Sequence, residues 1–123
     1  MDFTNARFIK LSAVEPETLR AGIAGILLND EELLRAAKGT RDYVVFTSDR
    51  IIVVNAQGML GTKKDITSLP LTRIQAWSIE SAGTFDRDSE LTLWFSGLGQ
   101  VRLEFDGTFD LQFVAKLIAD HVL

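Results

Sequence analysis

The 123-residue chain has no cysteine, which removes disulfide bonds, thiol nucleophiles and cysteine-ligated zinc at once and fits a reducing compartment. Histidine is nearly as scarce. The only one, His121, lies near the end of the chain, and no nucleophile-elbow motif accompanies it, so a hydrolytic triad has neither nucleophile nor setting. Basic excess is missing too: 13 Lys and Arg against 17 Asp and Glu give a formal net charge of -4, which argues against a general nucleic-acid binder. Long apolar runs are absent. Residues 23–28 form the most continuous stretch, broken by Gly25 and followed by Asn29, against the roughly 20 residues a membrane-spanning helix needs. The amino terminus, with Asp2 and no apolar stretch behind a basic start, does not read as a secretory signal. A cytoplasmic protein without a transmembrane segment is expected.

What is present is 46% hydrophobic and 24% charged, the balance of one globular domain spanning 1–123 with a core large enough to need no metal or cofactor. The pattern predicts three parts. Residues 1–39 read as an N-terminal helical segment. Pro16 suits a first helical turn, and Leu19, Ile23, Ile26 and Leu27 recur at helical spacing, although Gly22 and Gly25 weaken that helix. A second short helix is predicted from an Asn29 or Asp30 cap, through Glu31 and Glu32, to a stop at Gly39.

Residues 40–106 change to period two and read as antiparallel sheet. Strands are expected at 43–47 and 50–55 around a tight Ser48-Asp49 turn, at 65–71 as an edge strand marked by Pro70, and at 73–81, 90–95 and 101–105. In the last two, Leu91, Leu93, Phe95, Val101, Leu103 and Phe105 should share one core face. Residues 107–123 read as a closing amphipathic helix with Phe109, Phe113 and Leu117 on one face and Thr108 or Asp110 as cap. The class is α+β.

Two blocks carry a resemblance. Residues 41–55, RDYVVFTSDRIIVVN, with Gln57-Gly58, Gly61 and Lys63 after them, and residues 79–91, IESAGTFDRDSEL, resemble the bacterial pleckstrin-homology-like (PH-like) family. The resemblance implies a strongly bent antiparallel β-barrel or sandwich of about seven strands with a C-terminal capping helix. The six strands counted above are one short of that, and dividing residues 57–71 would supply the other. It also implies closed homo-oligomeric rings, commonly of five subunits, with no catalysis. Asn55 and Leu71 stand where such members carry aspartate and tyrosine, which weakens any role tied to those groups.

Two surfaces are candidates for function. Arg50, Lys63, Lys64 and Arg73 are the cations an anion site could use, since residues 39–76 carry five basic against three acidic groups while 77–123 carry three against eight. The competing reading is that Lys63 and Lys64 are charges guarding a sheet edge. Residues 58–64 lack the order of a phosphate loop, and residues 86–90 lack the glycine and distant glutamate of a calcium loop, so no metal site is expected. The second surface is apolar. Residues 43–46 and 51–54 are apolar on both faces, and Val44, Phe46, Trp77 and Trp94 are expected on a packing or oligomer surface unless the N-terminal helices cover it. The reading is a non-enzymatic binding or scaffolding domain in a cyclic homo-oligomer, with an unknown protein or lipid partner. The alternative is a peripheral membrane or phospho-ligand module using the basic patch.

Overall fold

The computed structural model describes residues 1–81 and 87–123. Eight strands form one sheet: β1 (Ala6–Val14), β2 (Leu33–Lys38), β3 (Asp42–Thr47), β4 (Arg50–Gln57), β5 (Lys63–Pro70), β6 (Ala76–Glu80), β7 (Ser89–Phe95) and β8 (Gly99–Phe105). Their order is β5-β4-β3-β2-β1-β8-β7-β6. Every neighbouring pair is antiparallel except β1 with β8. A four-residue helix α1 (Arg20–Ile23), flanked by single 3-10 turns, lies between β1 and β2, and α2 (Leu111–Val122) ends the fold. The bent sheet and closing helix match the expected architecture.

The N-terminal segment does not. Residues 1–39 were expected to be helical, yet β1 and β2 occupy fifteen of them and helix is confined to the region around α1. Both strands missing from the sequence count of six therefore come from the N-terminus, and residues 63–70 form a single strand rather than two. The second predicted helix is β2, whose sequence LLRAAK consists of good helix formers. Its environment overrides that preference. Ala37 faces one core and Ala36 the other, at 0% and 2% exposure, so the strand is buried on both faces where only methyl groups fit.

β1 joins the two halves of the sheet. Ala6, Arg7 and Phe8 pair with β8, the register then shifts before Leu11, and Ser12–Val14 pair with β2. Lys10 sits in that bulge at a φ of 55°, a left-handed conformation that costs any residue but glycine. The bulge bends the strand so that the sheet folds over on itself. Val44, Phe46, Ile51 and Val53 of β3 and β4 thereby share one core with Leu91, Leu93, Val101, Leu103 and Phe105 of β7 and β8. Helix α2 closes this core with Leu111, Val114 and Ile118, and Asp110 caps it by accepting a hydrogen bond from the Phe113 amide at 3.2 Å. Phe105 stacks on Phe109 with ring centroids 4.1 Å apart.

A second, smaller core lies on the opposite face of β2, β3 and β4. There Ala36, Val45, Ile52 and Val54 are covered by Ile23, with Leu19, Leu27, Leu33, Tyr43 and Val14 around it. The connection between β1 and β2 is thus the lid over the second face of the strands, in the place where N-terminal helices were the alternative to a neighbouring subunit.

Candidate functional site

The four cations do not converge. Arg50 opens β4 opposite Pro70, whereas Lys63 faces Gln57 at the other end of the same strand pair. Seven residues at about 3.3 Å each separate the two positions, or roughly 23 Å. Arg73 ends a 3-10 turn, Leu71–Arg73, after β5 and is exposed.

Arg50 is also already spent. Its Nε donates to Glu31 Oε2 at 2.9 Å and its Nη2 to Oε1 at 2.8 Å, the side-on pairing that a guanidinium makes with a carboxylate. Nη2 further donates to the Ile26 carbonyl at 2.5 Å, and Nη1 to Ser68 Oγ at 3.0 Å. The Glu31 side chain has no solvent exposure. Burial would push its carboxyl upward, but hydrogen bonds from Arg50, Thr47 and the Leu28 amide, together with the Arg50 charge, prevail and hold it at about 2. This cluster ties the lid segment to the β3–β4 turn. It is a structural latch.

Lys63 and Lys64 remain, both exposed at the start of β5. The turn before them is unusual. The Gly61 amide donates to the Gly58 carbonyl at 3.3 Å, closing a four-residue turn with Met59 and Leu60 at its corners. Gly58 and Gly61 have φ of 78° and 63°, so each flank uses glycine's freedom. Met59 is 100% and Leu60 87% exposed. Arg41 leans onto the same turn, its Nη2 donating to the Gly58 carbonyl at 2.5 Å. The nearest acids on these strands are engaged elsewhere: Asp42 accepts from the Asn55 amide, and Asp65 accepts from Thr67 at 2.7 Å and the Met1 ammonium at 3.0 Å.

The apolar candidates also separate. Val44 and Phe46 are 1% and 0% exposed inside the main core and present nothing to a neighbour, because alternation turns Val45, not Val44, to the second face. Of the packing or oligomer surface expected for them, they serve the packing inside this chain. Trp77 is half-buried against the main core, and Trp94 is exposed on the other face of its strand pair.

Among the described residues the sheet has two edges, of which β5 was expected from Pro70 and β6 was not. β5 and β6 each have a neighbour on one side only. Each carries an exposed isoleucine, Ile66 on β5 and Ile79 on β6. Beside β6, a cavity of about 940 Å³ runs between Ile79 and the start of α2, with Phe109, Leu111 and Ala115 as its apolar lining and Arg87 and Lys116 among its charged groups. Pro70 marked β5 as an edge in the sequence, whereas nothing local marks β6, whose place at the other edge follows from topology.

His121 lies at the last turn of α2. Its Nδ1 is 2.9 Å from the Leu117 carbonyl and its Nε2 2.8 Å from the Ser48 carbonyl. It fastens α2 to the β3–β4 turn. Among the described residues no group of three or more His, Asp or Glu side chains is placed to hold a metal ion, and no helix is long and apolar enough to cross a membrane. Of the 86–90 segment weighed for calcium, Asp86 lies outside the described residues.

Comparison with known proteins accords with this architecture. The chain is 38% identical over 117 residues to the uncharacterized protein YjqA of Bacillus subtilis, covering 94% of this chain and 90% of that protein. A DUF1696 family protein with a pleckstrin-homology domain from Shewanella loihica superposes with a TM-score of 0.80 at 34% identity, covering 93% of this chain and 98% of the other. A pleckstrin homology domain from Shewanella amazonensis gives 0.67 at 40% identity, with 89% and 90% covered. The family model for the bacterial PH domain matches residues 2–122, and the chain belongs to that family.

Proposed function

We propose that this chain is a non-enzymatic binding and scaffolding domain that closes into a cyclic homo-oligomer, with β5 of one copy docking along β6 of the next. The observation that carries this reading is the pair of unlike free edges at the two ends of one curled sheet. An interface between two different patches is heterologous, and repeated head to tail it closes a ring when the rotation per step permits. The edges suit one another better than themselves. β5 carries Lys63 and Lys64, β6 carries Glu80, and like charges set opposite each other are unfavourable while unlike charges attract. The apolar cavity beside β6 offers a seat for Ile66 of the incoming strand. β6 has five residues and β5 eight, so docking leaves part of β5 unpaired. The second face of β3 and β4 plays no part, since the lid segment covers it.

Light scattering on a sizing column across a dilution series tests this directly, and a monomer at micromolar concentration refutes it. Two edge variants test the geometry. Ile66→Lys spoils β5 and keeps β6; Ile79→Lys does the reverse. Each alone is expected to be monomeric, and an equimolar mixture to give heterodimers through the one intact pair of edges. Homodimers from either variant alone would mean that an edge pairs with itself.

A further inference from the structure

We propose that the lid segment, residues 15–32, opens on its own while the sheet stays folded, uncovering the apolar second face of β2, β3 and β4. Its grip on that face is small and lies at one end. Of the segment's residues only Ile23 and Glu31 are buried, whereas Ile26 and Leu28 are exposed. Among the described residues, every hydrogen bond from the segment to the rest of the chain ends on Thr47, Ser48 or Arg50. Thr47 Oγ1 donates to Glu31 Oε2 at 2.6 Å, and Arg50 holds Glu31 and the Ile26 carbonyl. The Glu32 amide donates to Ser48 Oγ at 3.0 Å, and its carbonyl accepts from the Ser48 amide at 2.9 Å. The bonds of residues 15–20 stay inside the segment, Thr18 with Glu15 and Arg20 with Glu17.

Opening breaks no rung of the sheet. β1 ends at Val14, which pairs with Ala36, and β2 begins at Leu33, so both ends of the lid stay anchored on adjacent strands. Helix α2 need not follow, because His121 reaches the Ser48 carbonyl and the lid uses only the amide and hydroxyl of that residue. What opening gives up is the burial of Ile23, part of that of Leu19 and Leu27, and the bonds of the latch. Global unfolding gives up the main core as well. A segment with so few buried apolar groups opens at a lower free energy than the whole domain, and the latch sets how often it does so. The lid lies within one chain, so its opening does not depend on assembly.

The absence of cysteine allows a test by thiol labelling. Val45→Cys puts one thiol under the lid, and Val44→Cys puts one on the main-core face of the same strand; both positions are buried. Labelling at 45 is expected to be faster by about a hundredfold or more, since only the lid has to move. It should depend weakly on dilute urea, whereas labelling at 44 should rise steeply, because the slope follows the surface exposed. Adding Ile118→Val, which loosens α2 on the main core, should speed labelling at 44 by roughly threefold to tenfold and leave 45 unchanged. Adding Glu31→Gln should speed labelling at 45 by roughly tenfold to a hundredfold through the loss of charge-assisted bonds. Amide hydrogen exchange on the parent chain needs no substitution, and there Leu28 and Glu32 should exchange well before the amides of β3 and β4. Equal labelling rates at 44 and 45, the same steep urea dependence at both, no response of 45 to Glu31→Gln, or lid amides that exchange only together with the sheet would each overturn the proposal.

Discussion

Glu31→Gln isolates the charge of the latch while keeping its shape. In the folded chain the Glu31 carboxyl is held at about 2 against an ordinary 4.5. A drop of that size corresponds to about 3 kcal/mol of stability. The folded value lies below the unfolded one, so this stability is fully present above about pH 5 and is lost as pH falls toward about 2. Near pH 3 about 2 kcal/mol of it is gone. Urea unfolding followed by circular dichroism at several pH values measures the effect. At about pH 7 the variant is expected to be less stable than the parent by about 3 kcal/mol, because the Arg50 cation, itself mostly buried, loses its counter-charge. The gap should shrink to about 1 kcal/mol near pH 3, where the carboxyl of the unfolded parent is already protonated while that of the folded parent is not. Comparing the two proteins at each pH cancels other depressed carboxyls such as Asp65, Glu104 and Asp106. Replacing both partners, Glu31→Gln with Arg50→Met, should recover part of the loss, since no buried charge is then stranded. A gap independent of pH, or one below about 1 kcal/mol at neutrality, would refute an electrostatic latch.

Other perturbations follow from packing and backbone. Ile52→Ala in the second core, at 0% exposure, should cost about 2–4 kcal/mol in urea unfolding. Paired with Ile23→Ala it should cost less than the sum, because both residues belong to one small cluster. Lys10→Gly should leave stability unchanged or raise it by up to about 1 kcal/mol by relieving the left-handed bulge, while Lys10→Val should lower it. Gly99→Ala should destabilise by about 2 kcal/mol or more, since its φ is 135° and a β-carbon would stand 2.8 Å from the Phe3 carbonyl oxygen. Gly25→Ala, where nothing lies within 4 Å of the new atom, should be neutral or slightly stabilising by the same assay.

The parts of the fold that could be read from residues are those where one periodicity dominates. β7 and β8 alternate without interruption, and their core face was assigned residue by residue; β3, β4 and the two-residue turn between them were equally plain. β1 and β2 failed for opposite reasons. In β1 the alternation Ala6, Phe8 breaks at the Lys10 bulge, so Leu11 falls out of phase with it although all three residues face the same core. In β2 nothing alternates, because both faces are buried, and helix propensity was the only local signal left. Its strand state depends on the adjoining β3 and on β1, whose Ser12–Val14 pair with it from more than twenty positions earlier.

Arg50 shows why a site is harder to read than a strand. Its charge is visible in the sequence, but its availability depends on Glu31, nineteen positions earlier, which looked like an acid at a helix start. Once Glu31 is placed on no helix but within the lid segment, the Arg50 guanidinium has four acceptors for its five N–H donors. The same reasoning works in reverse at the hairpin tip. Two cores on opposite faces of one sheet absorb the apolar residues of β3 and β4 that had suggested an oligomer surface, and the apolar groups still unburied then become informative. Met59 and Leu60 lie at a turn whose chemistry does not call for them, and Ile66 and Ile79 lie on strands that lack a neighbour. Exposure that folding leaves unexplained is where contact with something outside the chain is to be sought, and the two unlike edges are among the places where it falls.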